Sequence, residues 1–157
     1  MAYLLDTNAC SDYFTARYPK VVARIQSCSP DDLCLSVVVV AELRYAADHS
    51  ARRRANHARI NVLVEEIEVL DFDLRAAAAY GRVRAGLEAG GTPIGPNDML
   101  IAAHALSRRL TVVTDNTAEF GRVKGLTVEN WRESFRPPPA PRASRTTSAR
   151  GSLSRSR

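Results

Sequence analysis

The chain is poor in cysteine, and its few cysteines lack the spacing of a metal or redox motif. Cys10, Cys28 and Cys34 are odd in number and include no C-x-x-C pair. This excludes the common zinc and dithiol motifs. It favours free thiols in a reducing cytosol over a disulfide-stapled secreted scaffold.

The sequence also lacks a hydrophobic run long enough to cross a bilayer. Apolar stretches such as residues 37–41 are far shorter than the ~20 residues that a membrane-spanning helix needs. The start, Met-Ala-Tyr-Leu-Leu-Asp, has none of the basic residues that open a signal peptide. We therefore expect a cytoplasmic protein without a membrane segment.

Acidic residues are absent from residues 136–157, which carry six arginines. The net charge of +5 comes from 22 Lys and Arg against 17 Asp and Glu, so residues 1–135 hold 16 basic and 17 acidic residues. The body is near neutral, and only the tail is basic. An argument for a nucleic-acid partner must therefore rest on a specific site rather than on overall charge.

The same tail lacks hydrophobic periodicity, since three prolines at 137–139 are followed mainly by Ser, Thr, Ala and Arg. Such a segment buries too little apolar surface to offset its ordering entropy. We expect residues 136–157 to be a disordered basic tail and residues 1–135 to form one domain. A chain of 157 residues with 45% hydrophobic content is sufficient for one core.

Short apolar runs alternate with longer helical patterns along the body. Strands are predicted at residues 3–5, 33–36, 67–70, 111–114 and 126–129, and helices at 38–49, 51–66, 73–89 and 96–108. This alternation is typical of an α/β fold. We expect a central, mostly parallel sheet of about five strands flanked by helices.

Acidic residues stand where the predicted strands end. Asp6 follows the first strand, Asp115 follows the fourth, and Asp98 lies in the first turn of the helix that leads into the fourth. The carboxyl ends of parallel strands share one edge, where ligands bind. Converging carboxylates repel one another unless a hard cation such as Mg²⁺ or Mn²⁺ neutralises them.

Each of these aspartates has a structural alternative as a helix cap. Asp6 could cap the helix that follows it, Asp98 could complement a helix dipole just after Gly95-Pro96, and Asp115 could cap a short turn at residues 117–120. The residues alone leave both interpretations open.

Glu42 is harder to explain as a structural residue. On the predicted helix its neighbours three and four positions away are mainly apolar, which places the carboxylate on the apolar stripe. A buried carboxylate has to be paired, protonated or bound to metal. Arg44 is poorly placed to pair with it, so a functional role is favoured. His104, by contrast, is expected to be a packed core residue, and Cys10 has no histidine near it in the chain.

Several separated motifs together resemble those of VapC toxins, which have the PIN fold. They are Leu4-Leu5-Asp6-Thr7-Asn8, Val40-Ala41-Glu42-Leu43, Gly95-Pro96-Asn97-Asp98 with Ile101-Ala102-Ala103-His104-Ala105-Leu106, and Val113-Thr114-Asp115-Asn116 with Glu119-Phe120. Their order and spacing match over residues 3–131.

The resemblance implies a magnesium- or manganese-dependent endoribonuclease, usually a homodimer, that a VapB-like antitoxin holds inactive. Asp6 and Asp98 correspond to the principal metal ligands, and Glu42 to the third acidic residue. The fourth is at Asp115 or Glu119, since family members differ there. Asn8 and Asn116 correspond to residues that orient carboxylates or contact the substrate phosphate.

Two other functions are weighed against this one. A phosphatase of the haloacid-dehalogenase class needs a second aspartate two residues after the first, where this chain has Asn8. A catalytically inactive PIN-like module that binds RNA or protein would be expected to have lost Asp6, Glu42 or Asp98, and all three are present.

Overall fold

A computed structural model describes residues 2–133 of the chain. Its centre is a sheet of five parallel strands in the order β3-β2-β1-β4-β5. The strands are β1 (Tyr3–Leu5), β2 (Leu33–Ser36), β3 (Glu68–Leu70), β4 (Thr111–Val113) and β5 (Thr127–Glu129). The α/β fold with a parallel five-stranded sheet is confirmed. The predicted tail, residues 136–157, lies outside the described part.

Seven α-helices connect and cover the described strands. They are α1 (Thr7–Thr15), α2 (Pro19–Ser27), α3 (Val37–Asp48), α4 (Arg53–Glu66), α5 (Leu74–Ala89), α6 (Pro96–Arg108) and α7 (Thr117–Phe120). The four helices given bounds from the sequence all form, with ends shifted by two residues or fewer. No helix within residues 2–133 combines the length and hydropathy needed to cross a membrane.

The hydrophobic core lies at the middle of the sheet. All residues of β2 are buried, as are Leu4, Leu5, Val112 and Val113 of the two neighbouring strands. Strands covered on both faces are continuously apolar rather than alternating, which is the pattern of a parallel sheet between helices. Since β1 is the central strand, the residue after it lies deep in the molecule.

The strand register determines what meets at the carboxyl edge. Leu5 of β1 pairs with Val113 of β4, so Asp6 and Thr114 follow these strands side by side. The backbone N–H of Asp6 donates to the carbonyl of Val113 at 3.1 Å. The edge formed by β1, β2 and β4 is therefore where side chains from distant parts of the chain come together.

Candidate active site

The carboxyl edge of the sheet gathers all the acidic residues that the sequence singled out, and we call this part of the molecule the acidic edge. Asp6 follows β1, Glu42 lies in the second turn of α3 after β2, and Asp98 lies in the first turn of α6. Asp115 follows β4, and Glu119 is in α7. Mutual repulsion links them, since Asp115 and Glu42 act on Asp6, while Asp6, Glu119 and Glu42 act on Asp98.

Asp6 is the most enclosed of these carboxylates, with 3% of its surface exposed. Its side chain accepts hydrogen bonds from the backbone N–H of Asn8 and from the side chain of Thr114. Burial raises the pKa of Asp6 to about 6 against these bonds, and the charges of Asp115 and Glu42 add to the rise. Asp6 does cap α1, as the structural alternative predicted, but capping accounts for neither its burial nor its acidic neighbours.

Asp98 is half-buried in the first turn of α6, where its charge can complement the helix dipole as the structural alternative predicted. The N-terminal cap of α6 is Gly95, and the Asp98 carboxylate instead accepts from Nδ2 of Asn116 at 3.2 Å. Burial, followed by the charges of Asp6 and Glu119, raises the pKa of Asp98 to about 6. A Cβ at Gly95 would lie 3.3 Å from Oδ2 of Asp98, so the glycine allows the Asp98 carboxylate to lie close to the backbone of residue 95.

Glu119 lies against Asp98, and its pKa is shifted in the opposite direction. Its Oε2 accepts from the backbone N–H of Gly95 at 3.2 Å, and that bond, followed by those from the side chains of Asp98 and Asn116, lowers the pKa of Glu119. The contact between the two carboxyl groups therefore raises the pKa of Asp98 and lowers that of Glu119. Glu119 and Asp98 form one unit of the acidic edge.

Glu42 is half-buried and bound by neutral partners. Oε2 accepts from the hydroxyl of Thr7, and Oε1 accepts from Nδ2 of Asn97 at 2.9 Å. The prediction that Glu42 lies on the apolar stripe was wrong, because the buried face of α3 is formed by Val39, Leu43 and Ala47. Its neighbour Tyr45 is 66% exposed. Arg44 does not pair with Glu42 and instead donates to Asn61 at 2.7 Å.

Asp115 has partners different from those of the other acids. Oδ1 accepts from Nδ2 of Asn8 at 2.8 Å, and Oδ2 accepts from Nη1 of Arg132. The cap of α7 is Asn116, so the capping alternative is wrong for Asp115. The sequence had not singled out Arg132, Thr7 or Asn97. The latter two could have been found from their position directly beside Asp6 and Asp98.

The remaining candidates lie outside the acidic edge. His104 is fully buried, with Nδ1 2.9 Å from the hydroxyl of Ser36, which confirms its prediction as a core residue. Burial raises the pKa of the Cys10 thiol, which argues against a thiol nucleophile. Within residues 2–133, no three His, Cys, Asp or Glu side chains form a ready-made metal site. An ion at this edge would therefore need water or substrate oxygens as ligands in addition to carboxylates.

Comparison with known proteins identifies the family. Residues 3–126 match the family model described as PIN domain. The tRNA(fMet)-specific endonuclease VapC of Shigella flexneri is 42% identical over 132 residues, and that of Salmonella typhimurium is 39% identical over 132 residues. Each alignment covers 83% of this chain and 98% of the relative. The crystal structure of DNA-bound VapBC from Salmonella typhimurium matches with a TM-score of 0.79 and 37% identity, covering 83% of this chain and 98% of that one.

The chain therefore belongs to the PIN-domain family. Within that family it groups with the VapC ribonucleases, as the sequence motifs predicted. PIN-family membership removes the haloacid-dehalogenase alternative.

Proposed function

We propose that the acidic edge is the active centre of a metal-dependent endoribonuclease, the toxin of a VapBC-type module. The observation that carries the proposal is the enclosure of Asp6 and Asp98, both with the pKa raised to about 6, beside Glu42 and Glu119. Gathering repelling carboxylates costs stability without a cation. A protein keeps such an arrangement for a ligand that neutralises it.

The donor set fits Mg²⁺ or Mn²⁺. Every side-chain oxygen offered by these residues is a hard ligand, and Mg²⁺ is commonly held by one or two carboxylates together with water and substrate phosphate. Two protein ligands, Asp6 and Asp98, suffice for that mode. The absence of a three-residue metal cluster in the described residues is consistent with it. When bound, the ion supplies Lewis acidity toward a phosphate oxygen and a water.

The other residues act on the proton and on orientation. Glu42, fixed through both oxygens by Thr7 and Asn97, is positioned to accept the proton of the attacking water. Asn116 holds Asp98, and Asn8 holds Asp115. The fourth acidic residue is Asp115 or Glu119. The same proposal includes an RNA substrate, a homodimeric state, a cytoplasmic location and control by a VapB-like antitoxin. Its support is that relatives are named VapC endonucleases and that a similar solved structure is a VapBC complex.

Asp6→Asn and Asp98→Asn test this function. Asparagine keeps the size and the acceptor of aspartate, so a capping role survives with at most about 1 kcal/mol lost. A metal ligand loses its charge, and Mg²⁺-dependent cleavage of a structured RNA should fall about 100-fold or more. The assay follows RNA cleavage in Mg²⁺, in Mn²⁺ and in excess chelator.

Asp73→Asn is the matched control. Asp73 caps α5 by accepting from the backbone N–H of Ala76 at 2.9 Å, and its other side-chain bond, from Arg108, lies outside the acidic edge. This variant should cleave RNA at the wild-type rate. Cleavage that persists in chelator, or undiminished cleavage by both Asp6→Asn and Asp98→Asn, would refute the metal-nuclease function and favour an inactive binding module.

A further inference from the structure

Arg132 places a guanidinium between two carboxylates beside the acidic edge. Nε and Nη2 donate to the two oxygens of Asp12 at 2.6 and 2.9 Å, and Nη1 donates to Asp115. Asp12 is 5% exposed, so this bidentate pair is largely withdrawn from water. The guanidinium carbon also lies 4.2 Å from the centroid of the Tyr18 ring. Three separate contacts therefore hold the side chain in one position.

This arrangement occupies Asp115. One of its oxygens accepts from Asn8 and the other from Arg132, so both are bonded and the charge is paired. Pairing with a fixed guanidinium reduces the attraction of a carboxylate for a second cation. The hydrogen bonds of Glu119 come from Gly95, Asp98 and Asn116, none of which is a cation, and Arg122 acts on Glu119 through its charge without a hydrogen bond. The two candidates for the fourth acid thus differ in their availability.

We propose that Arg132 is a positioning residue that withdraws Asp115 from the metal-binding set, which leaves Glu119 beside Asp98 as the fourth acidic residue. The inference rests on the proposed metal-dependent function. It also connects the segment after β5 to the active centre, since Arg132 directly follows Trp131, which packs at 5.0 Å against the Tyr3 ring of β1.

Mg²⁺ affinity, measured by titration calorimetry without RNA, separates the two acids. Glu119→Gln should weaken binding about 10-fold or more, and Asp115→Asn about 2-fold or less. In an Arg132→Gln background Asp115 is released, so Asp115→Asn should then weaken Mg²⁺ binding substantially. Arg17→Ala is the matched control, because Arg17 lies 5.6 Å from the same Tyr18 ring without bonding Asp115. In the Arg17→Ala background, Asp115→Asn should weaken Mg²⁺ binding no more than it does in the otherwise wild-type protein.

Thermal melting in chelator tests the pairing without metal. In the otherwise wild-type protein, Asp115→Asn should lower the melting temperature because an ion pair is lost. In Arg132→Gln the same change should raise it, because it removes an unpaired carboxylate near Asp6. A change of sign between the two backgrounds supports the proposal.

Equal losses of Mg²⁺ affinity in Asp115→Asn and Glu119→Gln would overturn the proposal. Both variants keep Arg132, so this comparison holds even if the Arg132→Gln protein does not fold. The same lowering of the melting temperature by Asp115→Asn in both backgrounds would also overturn it. Failure of the wild-type protein to bind Mg²⁺ would instead refute the proposed function, whatever the melting experiments show about the pair.

A basic groove lies between α5, α6 and the segment that leads into β5. Its floor is apolar, and its rim carries three exposed cations and no acidic residue, the lining being Arg82, Val83, Gly86, Leu87, Leu106, Arg122, Val123 and Lys124. Gly86 leaves the floor open, since a Cβ there would meet nothing within 4 Å. The groove suits an anionic chain that passes along it.

The groove borders the acidic edge. Nη1 of Arg122 donates to the carbonyl of Pro93 at 3.0 Å, and Gly95 donates to Glu119 two residues further along the same loop. We infer that this groove takes backbone phosphates of the RNA strand on one side of the scissile bond. The acidic edge repels a polyanion, and these cations are placed to compensate for that repulsion. This inference also rests on the proposed function.

Gly86→Glu and Gly86→Gln form an isosteric pair that separates charge from bulk. Affinity for a fluorescent single-stranded RNA, measured in chelator to prevent cleavage, should fall about 10-fold in Gly86→Glu and about 2-fold or less in Gly86→Gln. Arg82→Ala should weaken binding and flatten its salt dependence. Arg84→Ala should not, because Arg84 pairs with Glu88 at 2.8 Å and does not line the groove.

Equal losses in the two Gly86 variants would show that bulk rather than charge is sensed, and would overturn the inference. RNA affinity unchanged in Gly86→Glu would overturn it as well and would direct attention to a protein partner. Mg²⁺ binding should stay at the wild-type level in both variants. Absence of RNA cleavage by the wild-type protein would refute the proposed function. The RNA affinities measured in chelator would still decide whether the groove binds RNA.

Discussion

The carboxylates of the acidic edge are held by residues that adjoin other carboxylates in the sequence. Thr7, next to Asp6, donates to Glu42, and Asn97, next to Asp98, donates to the other oxygen of Glu42. Asn116, next to Asp115, donates to Asp98. The motifs of Asp6, Asp98 and Asp115 therefore each position an acid of another motif, and a change in one of these motifs should affect the carboxylates of the others.

The raised pKa values of Asp6 and Asp98, each about 6, predict how stability depends on pH in chelator. Between their unfolded values near 4 and their folded values near 6, the folded state binds more protons than the unfolded state. Stability should therefore fall as pH rises through this window and level off above it. Melting temperatures from pH 4 to 8 would show the fall, which Asp6→Asn should reduce.

Mg²⁺ provides the complementary measurement. Since the ion competes with protons for these carboxylates, the rise in melting temperature that it causes should be small at about pH 5 and larger at about pH 7. A gain from Mg²⁺ that is independent of pH would show that Asp6 and Asp98 do not bind the ion.

The sequence identified the acids but not their partners. Asp6 and Asp115 could be located because the strand ends of a parallel sheet share an edge, and Asp98 because it begins the helix that leads into the fourth strand. The partner of Asp115, Arg132, is 17 residues away in the chain, and only the folded sheet brings the two together. The choice between Asp115 and Glu119 depends on that contact. It could not be made from local pattern.

At the scale of elements, strong periodicity was sufficient for α3 to α6, whereas α1 and α2 received no bounds. The interior face of α1 consists of Ala9, Cys10 and Asp12, which is too small and polar to produce an apolar stripe. Its buried aspartate is neutralised by Arg132, a long-range contact. Helix α2 has only two buried residues, Val21 and Ile25. Tertiary packing, rather than local pattern, establishes both helices.

Ser36, between β2 and α3, predicts a measurable element-scale effect. Its hydroxyl accepts from the backbone N–H of Val38 at 3.1 Å and lies 2.9 Å from Nδ1 of the buried His104. Ser36→Ala removes a helix cap and leaves a buried ring nitrogen unpaired, at a cost of about 2–3 kcal/mol. Urea unfolding should show this loss.

The exposed Ser27 is the control for that measurement. Its hydroxyl donates only to the carbonyl of Arg24, at 2.8 Å, and Ser27→Ala should change stability by about 0.5 kcal/mol or less. A comparable loss of unfolding free energy in the two variants would mean that the contacts of Ser36 do not stabilise the start of α3 more than an exposed serine does.

At the scale of the whole molecule, the basic charge is separated from the acidic edge in the sequence. Truncation after Phe135 removes six arginines and should leave the melting temperature and the cleavage pattern unchanged. RNA binding should become weaker and less dependent on salt. Loss of cooperative unfolding in the truncated protein would show that residues 136–157 contribute to the fold.

The acidic edge also predicts how a partner protein inhibits. A VapB-like antitoxin should insert an Arg or Lys among the carboxylates and compete with Mg²⁺. In a co-complex, Mg²⁺ affinity should fall markedly, and replacing the inserted cation with Ala should restore it. A fully active complex whose antitoxin leaves the carboxylates open would contradict this prediction.

The central position of β1 has a consequence for the timing of synthesis. Strands β3 and β2 lie on one side of β1 and can join it early, but β4 occupies the other side and is made more than a hundred residues after Asp6. Asp98 and Glu119 arrive with that later part of the chain. A growing chain on the ribosome therefore carries Asp6 and Glu42 without the acids that complete the edge. Under the proposed function, such a chain would cut no RNA until the segment from α6 to α7 has been made.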